Sequence, residues 1–483
     1  MPEGRFPGSG SGRRARLRGA SVGRGYVGRV PFFLVFLAVA VLVVGAGHYY
    51  VWRRLVRDTT ASRRWRRIGG WVLVALLVLT FAAFVGDDVL PAAAAAPLAG
   101  VGYVWLALLF YLVIVLAVLE IPAFAARLAL RRGQSSGRRG AAVGGPARPA
   151  GAATASAPTP TAPTLATATP PDGPTPDEPP VSGRDTGAPT DDRPGRAVSD
   201  PGSVGDGGYL SRRLFLSRAV AVTAGVAAVG LVGSGVATAL GVPRVRRIQI
   251  PLARLPRSAD GLRIALVSDI HLGPLNGVGR TRRIVELVNG LDADLVAIVG
   301  DLVDGSVEEL GPAAAPLADL RSRHGTFFVT GNHEYFSGYE PWIEEVTRLG
   351  MRPLRNERVA LPEGIDLAGV NDVAGERYGD GPDFAAALDG RDPDRVVVLL
   401  SHQPVQAYEA ARHGVDLQLS GHTHGGQLVP FNLAVRASGQ PVVSGLGEVA
   451  GMPVYVTNGA GFWGPPVRVG APPDVTLVEL RTP

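Results

Sequence analysis

This chain of 483 residues contains no cysteine, no lysine and only 3 methionines. Without cysteine it can form neither a disulfide nor a thiolate metal site, and an oxidising compartment does it no harm. Without lysine, all 48 basic side chains are arginine. With the excess of alanine, glycine and proline, that bias points to coding preference rather than to function. Histidine is scarce too, at 8 residues, so where those histidines fall carries information. The length exceeds what one ordinary core fills, and two or more parts are expected. A net charge of +6 raises nucleic-acid binding as a reading. The arginines instead crowd residues 1–70 and 127–148, beside apolar runs, which is the pattern of membrane flanks, and no nucleic-acid partner is expected.

Three uninterrupted apolar runs come first, at residues 30–47, 68–86 and 98–119. Each is about long enough to cross a ~30 Å hydrocarbon layer, and none carries an internal charge. A fourth, 219–242, follows S-R-R-L-F-L-S-R. The chain therefore divides into a basic tail (1–29), three transmembrane helices (30–126), a disordered Pro/Ala/Thr/Gly-rich linker (127–210), a signal or anchor helix (211–242) and a globular domain (243–483). The loop at 48–67 has seven arginines, that at 87–97 none, and 127–148 six. By the positive-inside rule the first loop and the linker are cytoplasmic, and the last domain lies on the outer face of the cell membrane. The tail, with seven arginines, is then outside against the rule, because the reverse arrangement exports two basic segments. The run at 211–216 resembles a twin-arginine export motif, and Ala237-Thr238-Ala239 offers a cleavage site.

In the last domain, short apolar β-type runs (263–268, 295–299, 326–330, 366–370, 396–400, 416–419, 454–457) alternate with helical patterns (279–289, 340–349, 405–412), which argues α/β. Polar residues follow five of these strands: Asp269 and His271; Asp301; Asn332, His333 and Glu334; His402; and His422 and His424. The carboxyl edge is where open α/β sheets place ligands. In extended chain, residues i and i+2 face one way, so Asp269/His271 and His422/His424 would each address one site. The glycines around them would make room for metal and substrate. Nitrogen and oxygen donors without sulfur suit Mn, Fe, Zn, Co or Ni, and seven donors suit two divalent ions bridged by a carboxylate. Gly459 to Gly464 spells G-x-G-x-x-G, but Pro465-Pro466 follows where a dinucleotide site needs a helix. Phe462, Trp463 and Arg468 there could rim the active site.

The order D-x-H, G-D-x-x-D, G-N-H-E, S-H, G-H-T-H resembles the calcineurin-like metallophosphoesterase superfamily over residues 264–462. The G-H-T-H-G-G-Q extension and the leader further resemble a bacterial, membrane-anchored, phosphodiesterase-like branch. The resemblance implies a four-layer αββα sandwich. It implies that Asp269, His271 and His424 hold one metal, that Asn332, His402 and His422 hold the second, and that Asp301 bridges them. His333 would contact the phosphate and protonate the leaving oxygen, Glu334 would orient His333, and Asp304 would shape its turn. Asn371 stands where close relatives are expected to carry an acid, which bears on substrate preference. The implied reaction is in-line attack on a phosphodiester by a hydroxide that two cations acidify and hold. Alternatives are a phosphomonoesterase or pyrophosphatase with the same site, or an inactive membrane receptor or scaffold. Closeness to the bilayer suggests a lipid-linked or envelope-derived phosphoester as substrate.

Overall fold

A computed structural model describes residues 29–140 and 206–483. The basic tail, most of the linker and the side chains of Ser211, Arg212 and Arg213 lie outside the described residues. The chain forms two compact units, Met1–Glu120 with Arg213–Pro483, and Ile121–Arg212.

Four long helices come first: α1 (Arg29–Val51), α2 (Arg63–Val89), α3 (Ala92–Gly140) and α4 (Asp206–Leu240). Among the described residues, three helices are long and apolar enough to cross a membrane, at Arg63–Gly86, Ala93–Pro122 and Leu214–Leu240. The first predicted run is helical as α1, but its side chains are described only from Ala38 onward. Helix α3 continues to Gly140, through residues 127–140, which hold five arginines and no proline. At the other end α4 already starts at Asp206.

The rest of the first unit is built from two six-stranded sheets. In chain order the elements are β1 (Arg244–Pro251), β2 (Arg263–Val267), α5 (Val278–Asn289), β3 (Leu295–Val299), α6 (Val307–Ala314), β4 (Thr326–Val329), α7 (Asn332–Phe336) and α8 (Tyr339–Arg348). Then follow β5 (Met351–Pro353), β6 (Glu357–Ala360), β7 (Ile365–Gly369), α9 (Phe384–Leu388), β8 (Val396–Leu400), α10 (Ala407–Arg412), β9 (Leu417–Ser420), α11 (Asn432–Ala437), β10 (Gly445–Val449), β11 (Met452–Val456) and β12 (Asp474–Arg481). Sheet one has the order β1-β12-β2-β3-β4-β5, and sheet two the order β10-β11-β9-β8-β7-β6. Strands β2 to β5 run parallel, as do β7, β8, β9 and β11.

One apolar cluster joins the two sheets, with Leu266, Val299 and Val329 from the first and Leu367, Leu400 and Leu419 from the second. Alternate residues of the same strands face outward, as the two-residue period requires. Ala265, Val296 and Ile298 meet Ile284, Val288 and Trp342 on α5 and α8. Val397 and Leu399 meet Phe384, Ala407 and Ala410 on α9 and α10. The sequence reading missed β1, β5, β6, β10 and β12. Strands β1 and β12 pair in parallel across more than 200 residues, and β1 reads as a charged run because one of its faces is exposed.

The globular part is joined to α4 by a buried arginine. Arg280 on α5 donates from Nη1 to Ala239 O at 2.8 Å and from Nε to Ala460 O at 3.1 Å. It thereby satisfies one of the carbonyls that the last turn of α4 leaves without a helical partner, and its charge suits that end of the helix dipole. Arg280→Ala leaves these buried acceptors bare. It should destabilise the full chain in detergent by about 2 kcal/mol, read as a lowered thermal transition; an unchanged transition would contradict this account.

Candidate metal centre

Strands from both sheets deliver the site. Asp269 follows β2, Asp301 follows β3, Asn332 opens α7 after β4, His402 follows β8, and His422 and His424 follow β9. The chain is no longer extended at these points. Asp269, His271, Asp301, His422 and His424 all have left-handed backbone, with φ between 50° and 69°. The expectation that i and i+2 share a face of extended chain therefore does not hold. Sharp left-handed turns bend the side chains inward, a conformation that costs about 1–3 kcal/mol per residue and clusters at functional sites.

Two groups of donors result. Asp269, His271 and His424 form the first, and Asp301, His402 and His422 the second. In the first, His271 Nε2 lies 3.0 Å from His424 Nε2, and His424 Nε2 lies 3.3 Å from Asp269 Oδ1. In the second, His402 Nε2 lies 3.1 Å from Asp301 Oδ2. Asp301 Oδ2 also lies 3.7 Å from His271 Nε2, so this carboxylate faces both groups. His422 and His424 thus belong to different groups rather than to one. The paired histidines supply one donor to each.

The residues fit divalent cations. Asn332 Oδ1 is buried with no hydrogen-bond partner, a costly arrangement for an amide oxygen unless a cation meets it. His402 Nδ1 is 2.7 Å from Val299 O, so that nitrogen donates and Nε2 faces Asp301; burial would discharge this ring, but the Asp301 carboxylate holds its pKa well above the usual value. Burial, with the charge on His402, pushes His422 down to about 4. Burial likewise pushes His424 down to about 4. Both rings are neutral near pH 7, the state that ligates metal.

A model of the calcineurin-like phosphoesterase family matches residues 262–426. The chain is 40% identical over 273 residues to an uncharacterized metallophosphoesterase of Helicobacter pylori strain J99, covering 56% of this chain and 72% of that one. The chain belongs to the calcineurin-like metallophosphoesterase family. It is 35% identical to an uncharacterized metallophosphoesterase of Aquifex aeolicus, covering 49% of this chain and 92% of that one. It is also 41% identical to a Bos taurus protein named transmembrane protein with metallophosphoesterase domain, over 60% of this chain and 66% of the relative. The match thus spans just under two thirds of that relative's length.

Around the donors, the metallophosphoesterase domain departs from the sequence reading in several places. Asp304 does more than shape a turn. Its Oδ1 accepts from His271 Nδ1 and from His333 Nδ1, each at 2.8 Å, fixing both rings. Glu334 does not touch the His333 ring. It accepts from the backbone N–H groups of Asp301 at 3.0 Å, Leu302 at 2.7 Å and Gly331 at 2.6 Å, clamping the turn that carries Asp301. Arg468 is not on the rim: it is buried and donates to His424 Nδ1 at 2.9 Å and His424 O at 2.8 Å. Nothing in the motif spacing marks this role, although an arginine aligned with a histidine tautomer is a physical signal once the fold is known.

The glycines do not open space for a ligand. A Cβ at Gly421 would overlap Ser268 and Asp269, and one at Gly459 would overlap Asp269. They let the β9 and β11 loops close onto the β2 loop, so the start of the G-x-G-x-x-G stretch packs against Asp269. Asn371 is buried and donates to Asp380 O at 3.1 Å. Phe462 is buried, whereas Trp463 is exposed with its ring 5.9 Å from that of His333.

His333 is the one histidine of this cluster held protonated near neutral pH while lying partly open. Burial would lower its pKa, but the carboxylates of Asp301 and Asp304 outweigh burial and raise it to about 9. Removing the Asp304 charge removes part of that rise, so the ring loses its proton at lower pH. In Asp304→Asn the alkaline limb of kcat/KM should move down by about one pH unit. Metal content is measured alongside, since His271 loses the same partner. An unmoved limb in a fully metallated variant would show that Asp304 does not set the proton on His333.

Proposed function

We propose that this protein hydrolyses phosphodiesters with two divalent cations, and that its catalytic domain lies on the outer face of the cell membrane. The observation that carries the reading is the sharing of Asp301 between two buried donor groups, with a protonated histidine beside them. Asp269, His271 and His424 would hold one ion, Asn332, His402 and His422 the other, with Asp301 between. Ions so bound supply Lewis acidity, acidifying water toward neutral pH and offsetting phosphoryl charge.

The chain's own residues supply position and a proton. His333 is also within reach of His271 and Asp301, but its high pKa suits a proton donor better than a ligand. Its Nδ1–H is spent on Asp304, which leaves Nε2–H to protonate the departing ester oxygen. Glu334 keeps the Asp301 turn rigid, and Arg468 keeps His424 in place. A diester carries one negative charge and a monoester up to two. Beyond His271, the rings beside His333 are those of Phe336 and Trp463, which offer no positive charge to a dianion, and this supports the diester reading.

The three core layers fit the αββα sandwich that the family implies. The orientation rests on the arginine-rich 48–67 loop against the arginine-free 87–97 loop, and a twin-arginine route fits export of a domain already folded around its metals.

The test uses the full chain in detergent, stripped of metal and then loaded with Mn, Fe, Zn, Co or Ni in turn. Methyl p-nitrophenyl phosphate should be cleaved faster than p-nitrophenyl phosphate. His333→Ala should lose roughly 10²–10⁴-fold in kcat with metal retained, whereas Asp301→Ala should lose both metal and activity. Preference for the monoester would overturn the diester assignment. A folded chain that binds no metal would overturn the whole reading.

A further inference from the structure

The segment that follows His424 runs from the metal centre directly into the helix bundle. Gln427 turns out of the G-H-T-H-G-G-Q stretch. Its Nε2 donates to Trp463 O at 2.8 Å and its Oε1 accepts from Trp463 N–H at 3.2 Å, tying the chain to the rim beside His333. Leu428 and, from the facing loop, Val467 and Val469 belong to the same apolar cluster as Leu112 and Leu116 of α3 and Ala228 and Val232 of α4. Tyr111 on α3 donates from its hydroxyl to Val429 O at 2.9 Å. The Phe110 and Phe431 rings lie 6.5 Å apart. Both α3 residues lie inside the candidate span Ala93–Pro122, so the 428–433 segment packs against the apolar part of that helix.

That segment also shows apolar side chains outward. Phe431 is 52% exposed and Leu433 66% exposed. At the catalytic mouth, Phe336 and Trp463 are also exposed, with ring centroids 5.5 and 5.9 Å from that of His333. Large apolar surfaces facing water are unfavourable, and a contiguous one marks a binding or membrane surface. Here the exposed side chains adjoin a candidate membrane span at one end, and the same segment is tied through Gln427 to Trp463 beside the proton donor at the other.

We infer that the substrate is a membrane-resident amphiphile, a phosphodiester carrying a long hydrocarbon chain that stays on the Phe431–Leu433 face while the phosphorus reaches His333. This rests on the hydrolase reading above. In the reaction one water is consumed: its oxygen bonds to phosphorus, the P–O ester bond breaks, and the leaving oxygen takes the proton from His333. The proton released by water passes to solvent, and no oxidant or reductant is needed.

The test is a series of p-nitrophenyl alkyl phosphates with methyl, hexyl and dodecyl chains, assayed with the metal-loaded full chain in phosphatidylcholine nanodiscs. Each buried methylene adds favourable transfer energy, so kcat/KM should rise with chain length by about tenfold or more from methyl to dodecyl. Phe431→Ser and Leu433→Ser, both at exposed positions, should keep the methyl-ester rate and flatten that rise. The retained methyl-ester rate reports that each variant is folded. Partition of long chains into the disc is common to all three proteins and cancels in the comparison. A flat series in the unmodified protein, or a rise that both variants keep in full, would overturn the inference and leave the hydrolase reading standing. Failure to cleave the methyl ester with any metal would overturn the hydrolase reading, and this inference with it.

Discussion

The burial of Asp269 and Asp301 is the constraint around which the rest of the domain is arranged. Both carboxylates are removed from water, and an isolated buried charge is costly unless it is paired or coordinates metal. Imidazoles surround them: burial pushes His422 and His424 toward neutrality, while the carboxylates hold His333 and His402 charged. A cation held among these donors would take over the balancing of the two carboxylates. The left-handed turns, the Glu334 clamp and the closely apposed glycine loops all bring negative oxygen atoms to one place and keep water from relieving them.

Much of this was legible in the residue types. Aspartate, asparagine and histidine recur directly after β-type runs, and a buried parallel strand announces itself as an unbroken apolar stretch such as 295–299 or 396–400. What stayed hidden depends on long-range geometry. Strands β1 and β12 pair with each other from opposite ends of the domain, and half of β1's side chains face solvent, so neither local hydropathy nor spacing marks it. The left-handed backbone at Asp269 and His424 is imposed by neighbouring loops rather than by any residue preference. Asp304 looked like a turn former because its two histidine partners, 33 and 29 residues away in sequence, meet only after folding. Arg468 was recognisable as a nearby residue, but burial among carbonyls and a ring nitrogen had to be seen before it could be read as a support for His424.

The membrane part and the catalytic part are likewise not separable modules on a string. Residues 428–433 and 465–469 share an apolar cluster with four helices, and Arg280 completes the last turn of α4. The boundary drawn from composition at residue 243 marks a change of solvent rather than a break in packing.

Arg468 shows what this implies. Its backbone N–H donates to Gly235 O on α4 at 3.0 Å, while its guanidinium holds His424. One residue thus couples a long apolar helix to an imidazole through bonds with little slack. The domain is not hung from α4 as a head on a flexible stalk would be. The joint that holds it against that helix is the same residue that aligns His424, so the helix is also part of the alignment of the donor cluster.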